Sequence, residues 1–154
     1  MSMALEHELG RWIEELSIPN PAFNNLPPCP FAKKAWIDNK VKVHTVDTLP
    51  LVLPQQLGDY EIIIMGMSPS LLTPEELTNI VETENKTLKQ KGLIALEDHP
   101  DDEEIINGWS ANNKKFALVF IQSLDKLNKA RQSLKDKGYY KHWSNEYYED
   151  VCLR

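Results

Sequence analysis

The chain has 154 residues, 42% of them apolar and 26% charged, with 23 acidic against 17 basic side chains and a formal charge of −6. That length fits one domain, 1-154, large enough to bury its own core, and the acid excess argues against nucleic acid as a partner. Two distant cysteines form no disulfide framework and predict a reducing, cytoplasmic setting; the opening residues read as neither signal nor transit peptide, and no apolar run reaches the ~20 residues of a bilayer span.

Residues 3–17 predict an amphipathic helix, with Leu5, Leu9, Trp12, Ile13 and Leu16 on one stripe. Half of the ten prolines fall between positions 19 and 30. That stretch is neither a regular helix nor a central strand, and reads as an ordered wrap anchored by Ile18, Phe23 and Leu26. "CPFAKKAWIDN" predicts a short helix with Pro30 at its first position and Cys29 at its N-cap. "KVKVHTVDTL" alternates as a strand with one wet side. The run "YEIIIMGM" predicts a central strand buried on both faces.

Thr73, Pro74 and Glu76 spell a capping box, followed by the stripe Leu77, Ile80, Val81 and Leu88 and a stop at Gly92. "LIALED" and "KFALVFIQS" predict two further strands, separated by an acidic, Asn-rich loop over 99–113. A last regular helix starts after Ser123 and stops at Gly138. The tail is expected to be partly helical. There, Tyr139, Trp143 and Tyr147 share one stripe, which predicts that it closes the core or packs on the proline-rich wrap. The alternative is a docking face for a second copy of the chain.

The expected fold is therefore α+β: a two-layer sandwich of four mostly antiparallel strands with helices on one face. Its cyclic order of elements is a rotated ferredoxin-like one.

Two short segments carry candidate chemistry. Cys29, at a helix N-terminus, is expected to have a depressed thiol pKa, helped by Lys33 or Lys34 if either approaches. His99 closes a strand, the place where α/β sites gather. The sharper expectation brings Cys29 and His99 together, with Asp98, Asp101 or Asp102 orienting the imidazole or sharing a divalent metal. On this expectation Cys29, His99 and Asp101 are the catalytic groups, Lys33 and Trp109 bind substrate, and His99 with Asp102 holds the metal. The plainer alternative is a buried thiol and a strand-ending His-Pro pair.

"HPDDE", 99–103, is similar to the signature of zinc-dependent N-acetylglucosaminyl deacetylases. The resemblance implies His99 and Asp102 as metal ligands and Asp101 as base, chemistry suited to activating a water. That family's motif follows its first strand and has a large domain behind it. Here the remainder after Glu103 is short and holds a single histidine, His142, so the match is read as coincidental. Over residues 5–105 the chain more broadly resembles an uncharacterised bacterial family with a Cys-Pro-Phe-Ala segment after an N-terminal helix and a strand ending in His-Pro. That resemblance implies no activity. Two functions follow as expectations: a small enzyme acting on a small molecule between the Cys29 and His99 loops, or a homodimeric, non-catalytic interaction module.

Overall fold

Helix α1 (Ser2–Leu16) opens the chain, and a single 3-10 turn (Pro21–Phe23) lies in the proline-rich wrap before α2 (Ala32–Ile37). Strands β1 (Val41–Val46) and β2 (Ile62–Met67) lead to α3 (Pro74–Leu88) and β3 (Leu93–Asp98). A two-residue hairpin of β4 (Ile105–Ile106) and β5 (Trp109–Ser110) interrupts the expected loop. Strand β6 (Ala117–Ser123), α4 (Leu124–Asp136) and α5 (Asn145–Cys152) complete the chain. This computed structural model describes residues 2–29, 31–102, 105–106, 109–110 and 112–152, apart from the side chains of Ser2, Ile106, Asp150 and Val151. Pro30 and Glu103, which figured in the expectations above, lie outside the described residues. Among the described residues no helix is long and apolar enough to cross a membrane.

The local signals act as chemistry dictates. The Thr73 hydroxyl accepts from Glu76 N–H at 3.1 Å, and Glu76 Oε1 accepts from Thr73 N–H at 3.0 Å, so the capping box is closed in both directions. Ser123 caps α4 by accepting from Lys126 N–H at 3.2 Å. Gly92 and Gly138 stop their helical segments at φ of 73° and 78°, the left-handed region where a side chain is strained.

The α+β class holds, with a four-stranded sheet in the order β1-β2-β6-β3. Strand β6 runs antiparallel to both neighbours, with Ile121 opposite Ile63 on one side and Ala95 on the other. β2 and β3 are therefore parallel to each other, joined by α3 across the intervening β6. The spatial order is that of the rotated ferredoxin-like sheet. The direction of β1 is not: it pairs parallel to β2, Val41 opposite Ile62. Residues 47–61 explain why. Instead of a hairpin, they form a proline-broken return that buries Leu51 and Leu53 under the sheet and delivers the chain to the same end from which β1 began.

The expected placement of helices on one face is also corrected. Ile63, Met65, Met67, Val119 and Ile121 meet Leu77, Val81 and Leu88 of α3. On the opposite face Ile64 and Leu118 meet Leu5, Leu9, Trp12 and Leu16 of α1. A strand apolar on both sides needs two covers, so the molecule has helix, sheet and helix layers. α1 sits close because residue 66 is glycine: a β-carbon there would fall 2.5 Å from both methyls of Leu5.

The outer edge of β3 is closed by a side chain. Asn85 of α3, itself buried, donates from Nδ2 to Ala95 O at 2.9 Å and accepts at Oδ1 from Ala95 N–H at 2.7 Å. One amide thus replaces a missing strand partner. Asn85→Leu, similar in size, leaves both backbone groups buried and unpaired. It is expected to cost about 2–4 kcal/mol, read as a lowered urea midpoint without loss of helical circular dichroism.

Candidate functional site

His99 is 2% exposed, and its ring is fully engaged by backbone. Nε2 lies 2.8 Å from Leu72 O and 3.1 Å from Pro69 O, both acceptors, so this nitrogen carries the proton and donates. Nδ1 accepts from Asp101 N–H at 3.1 Å. The imidazole therefore ties the end of β3 to the segment between β2 and α3, and neither nitrogen has a lone pair left for a metal or a thiol. The Asp101 carboxylate is 75% exposed and 3.9 Å from Nδ1. Asp102 is an exposed turn residue whose N–H donates to His99 O. Among the described residues no group of three or more His, Cys, Asp or Glu side chains could hold a metal ion. The expected His99–Asp102 metal pair thus finds no support in the geometry.

Cys29 lies elsewhere. Its N–H donates to Leu16 O at 3.0 Å, which places it beside the end of α1. Phe31, not Cys29, is the residue preceding α2. The expected depressed thiol pKa is corrected: burial pushes it up, outweighing the Ala32 and Phe31 N–H groups that favour the thiolate. A protonated thiol among apolar groups is neither an active nucleophile nor a metal ligand. Lys33 and Lys34 do not change this, because Lys33 pairs with Glu14 at 3.2 Å and Lys34 with Asp38 at 2.7 Å. No hydrogen bond joins Cys29 to His99.

What the fold does build is a cavity of about 720 Å³ between α1 and α4, over the sheet face opposite α3. Val41, Ile62, Ile64, Leu96 and Phe120 form its floor. One wall comes from Trp12, Ile13 and Leu16 of α1 with Cys29 and Ala35; the other comes from Leu127, Ala130 and Ser133 of α4. The aromatic tail closes one side. Tyr139 is buried and donates from its hydroxyl to Pro28 O, while Trp143 stands 6.1 Å from Phe23, ring centre to ring centre. Trp109 packs edge-on against Phe23 at 5.4 Å and also lines the space. The tail stripe therefore packs on the proline-rich wrap, as its spacing predicted. Burial pushes the Tyr139 phenol far above its ordinary range, so it stays a donor.

Asp98 is the ionisable group of the cavity that departs most usefully from its ordinary state. It ends β3 on the floor side and is half-buried. Asn113 donates to its Oδ2 from Nδ2 at 3.0 Å and from N–H at 3.4 Å. Burial pushes the Asp98 carboxyl up to about 6, against the lowering by those two bonds. Asn113 is held in turn by Phe116 and Lys115, and Asn112 Nδ2 donates to His99 O and Pro100 O at 3.1 Å each. Two adjacent asparagines thus fasten the start of β6 to the end of β3. Sequence reasoning had Asp98 as one of three carboxylates that could orient the imidazole or share a metal. The signal for its position was the alternation Ile94, Leu96, Asp98, which places a carboxylate at the end of an apolar row.

Compared with protein-family models, curated proteins and solved structures, the chain matches none.

The raised Asp98 pKa has a signed consequence for stability. The folded state holds this proton more tightly than the unfolded chain, so its contribution is most favourable below about pH 4. That contribution is lost as the pH rises towards 6, to a limit of about 3 kcal/mol. Asp98→Asn keeps an acceptor for Asn113 and removes the charge. It is expected to raise the urea midpoint at pH 7.5 by the equivalent of about 1–3 kcal/mol, with the gain disappearing towards pH 4.

Proposed function

We propose that the protein binds an elongated, mainly apolar small molecule in the cavity between α1 and α4. The observation that carries the reading is the cavity itself, about 720 Å³ and walled chiefly by aliphatic and aromatic side chains from along the whole chain. That volume is within the range of small-molecule sites, which are typically apolar with a few polar groups fixing orientation. Its floor belongs to the interior of the sheet and its walls are helices, so the space is preformed. Trp109 falls in this site. His99 and Asp101 support it from outside through the turn that follows β3, and the thiol of Cys29 serves as wall rather than as nucleophile.

The test is direct titration with a solvatochromic hydrophobic dye, such as Nile red, followed by displacement with unlabelled alkyl and aryl compounds. Saturable binding of one dye per chain is expected. Ala130→Trp fills the space between α4 and the floor, and should weaken dye binding at least tenfold while far-ultraviolet circular dichroism stays unchanged. Absence of saturable binding by the wild-type chain, or equal binding by the filled variant, would overturn the reading.

A further inference from the structure

We propose that Asp98 is the recognition group of this cavity and that the ligand is a lipophilic amine, its ammonium seated on Asp98 and its apolar body lying along the sheet floor. The inference rests on the cavity being a small-molecule site and adds the chemical class of what enters it.

The first observation is an unpaired charge. Half-buried carboxylates are normally matched by a cation or by several donors. Among the described residues no lysine or arginine pairs with Asp98; Lys115 of the Asn-rich turn reaches Glu8 instead at 3.1 Å. Both donors from Asn113 land on Oδ2. Oδ1 receives no hydrogen bond among the described residues. The carboxylate is therefore fixed in position by one oxygen, while the other has no donor among the described residues. An ammonium supplies both the missing charge and the missing donor.

The second observation is the shape of the floor. Asp98 lies opposite Leu118, and Gln122, which also lines the cavity, lies opposite Ile94. Four residues of strand separate the two levels, which is roughly 13 Å at the usual rise. Leu96, Phe120 and Ile64 lie between them. Glu61, Glu97, Lys126 and Lys129 also line the cavity, but Asp98 is the charged side chain that ends the apolar row of the floor, and a track of that length fits a primary amine on a chain or ring system of similar length. An aliphatic acid is disfavoured at the same place, because its carboxylate would face Asp98 with Asp102 close behind. The chain's −6 charge further favours the approach of cations.

The experiment compares nonylamine with nonan-1-ol and nonanoic acid by isothermal titration calorimetry at pH 7.5 and low salt. The three are nearly equal in length and differ in head group. The wild-type chain should bind the amine at least tenfold more tightly than the alcohol, with the acid weakest. In Asp98→Asn the amine's advantage over the alcohol should fall to less than threefold, with affinity for the alcohol unchanged. The wild-type comparison needs no variant, so it decides the matter even if the substitution disturbs folding. Equal binding of amine and alcohol, or a preference that survives Asp98→Asn, overturns this inference and leaves the apolar cavity standing. Failure of all three ligands together with the dye overturns the cavity reading as well.

Discussion

Strand β6 is the constraint on which the molecule depends. It enters between two parallel strands and runs against both, so its residues are buried alternately on two faces. Ala117, Val119 and Ile121 are claimed by the α3 layer, and Leu118 and Phe120 by the α1 layer. Burial of that many aliphatic groups on a single strand, at ~25 cal/mol per Å² of apolar surface, is the main source of cohesion in a sheet of this size. The two faces are filled differently. A single helix, with the leucines of residues 47–61, seals the first. The second is shared by α1 and α4, which come from distant parts of the chain and lie over different strands of that face, α1 near β1 and α4 near β6 and β3. The space between them is the cavity.

The polar residues of the Asn-rich turn gain meaning from the same arrangement. β6 must start beside the end of β3, and the crossing is held by side chains more than by regular backbone pairing. His99 bonds Leu72 and Pro69, Asn112 bonds His99 and Pro100, and Asn113 bonds Asp98 and Phe116. Each buried amide or imidazole atom has a partner, which is what makes a polar cluster stable in a low-dielectric interior. This cluster fixes one oxygen of Asp98 at the cavity's charged end.

Much of the architecture was legible in the sequence because local signals there were unopposed. The capping box at Thr73, the Ser123 cap, the stops at Gly92 and Gly138, and the apolar run of β2 correspond to observed features. That run also carried the information that two covering layers are needed, since a strand apolar on both sides cannot sit in a two-layer sandwich. The direction of β1 was not legible. It depends on where Leu51 and Leu53 find burial, a tertiary fact, and a proline-broken segment has no period to read. The hairpin of β4 and β5 is too short for a pattern. The Cys29 and His99 motifs were visible as residues, but their chemistry is decided by burial and by hydrogen-bond partners contributed from Phe31, Ala32, Pro69 and Leu72. Spacing along the chain does not encode those neighbours. The cavity was hidden for the same reason: its walls are drawn from residues 12–35 and 127–147, and its floor from the strands between.

That division of labour between the middle of the chain and its two ends bears on the order of assembly. Residues 41–123 supply the whole sheet and its α3 cover, so this part is complete in sequence while the tail is still unmade during synthesis. The opposite side is finished only when Tyr139 reaches Pro28 and the C-terminal rings settle around Phe23. A nascent chain stalled before position 139 already holds α1 and α4 but lacks the rings that pack on Phe23, so it would present chaperones with that side of the cavity open.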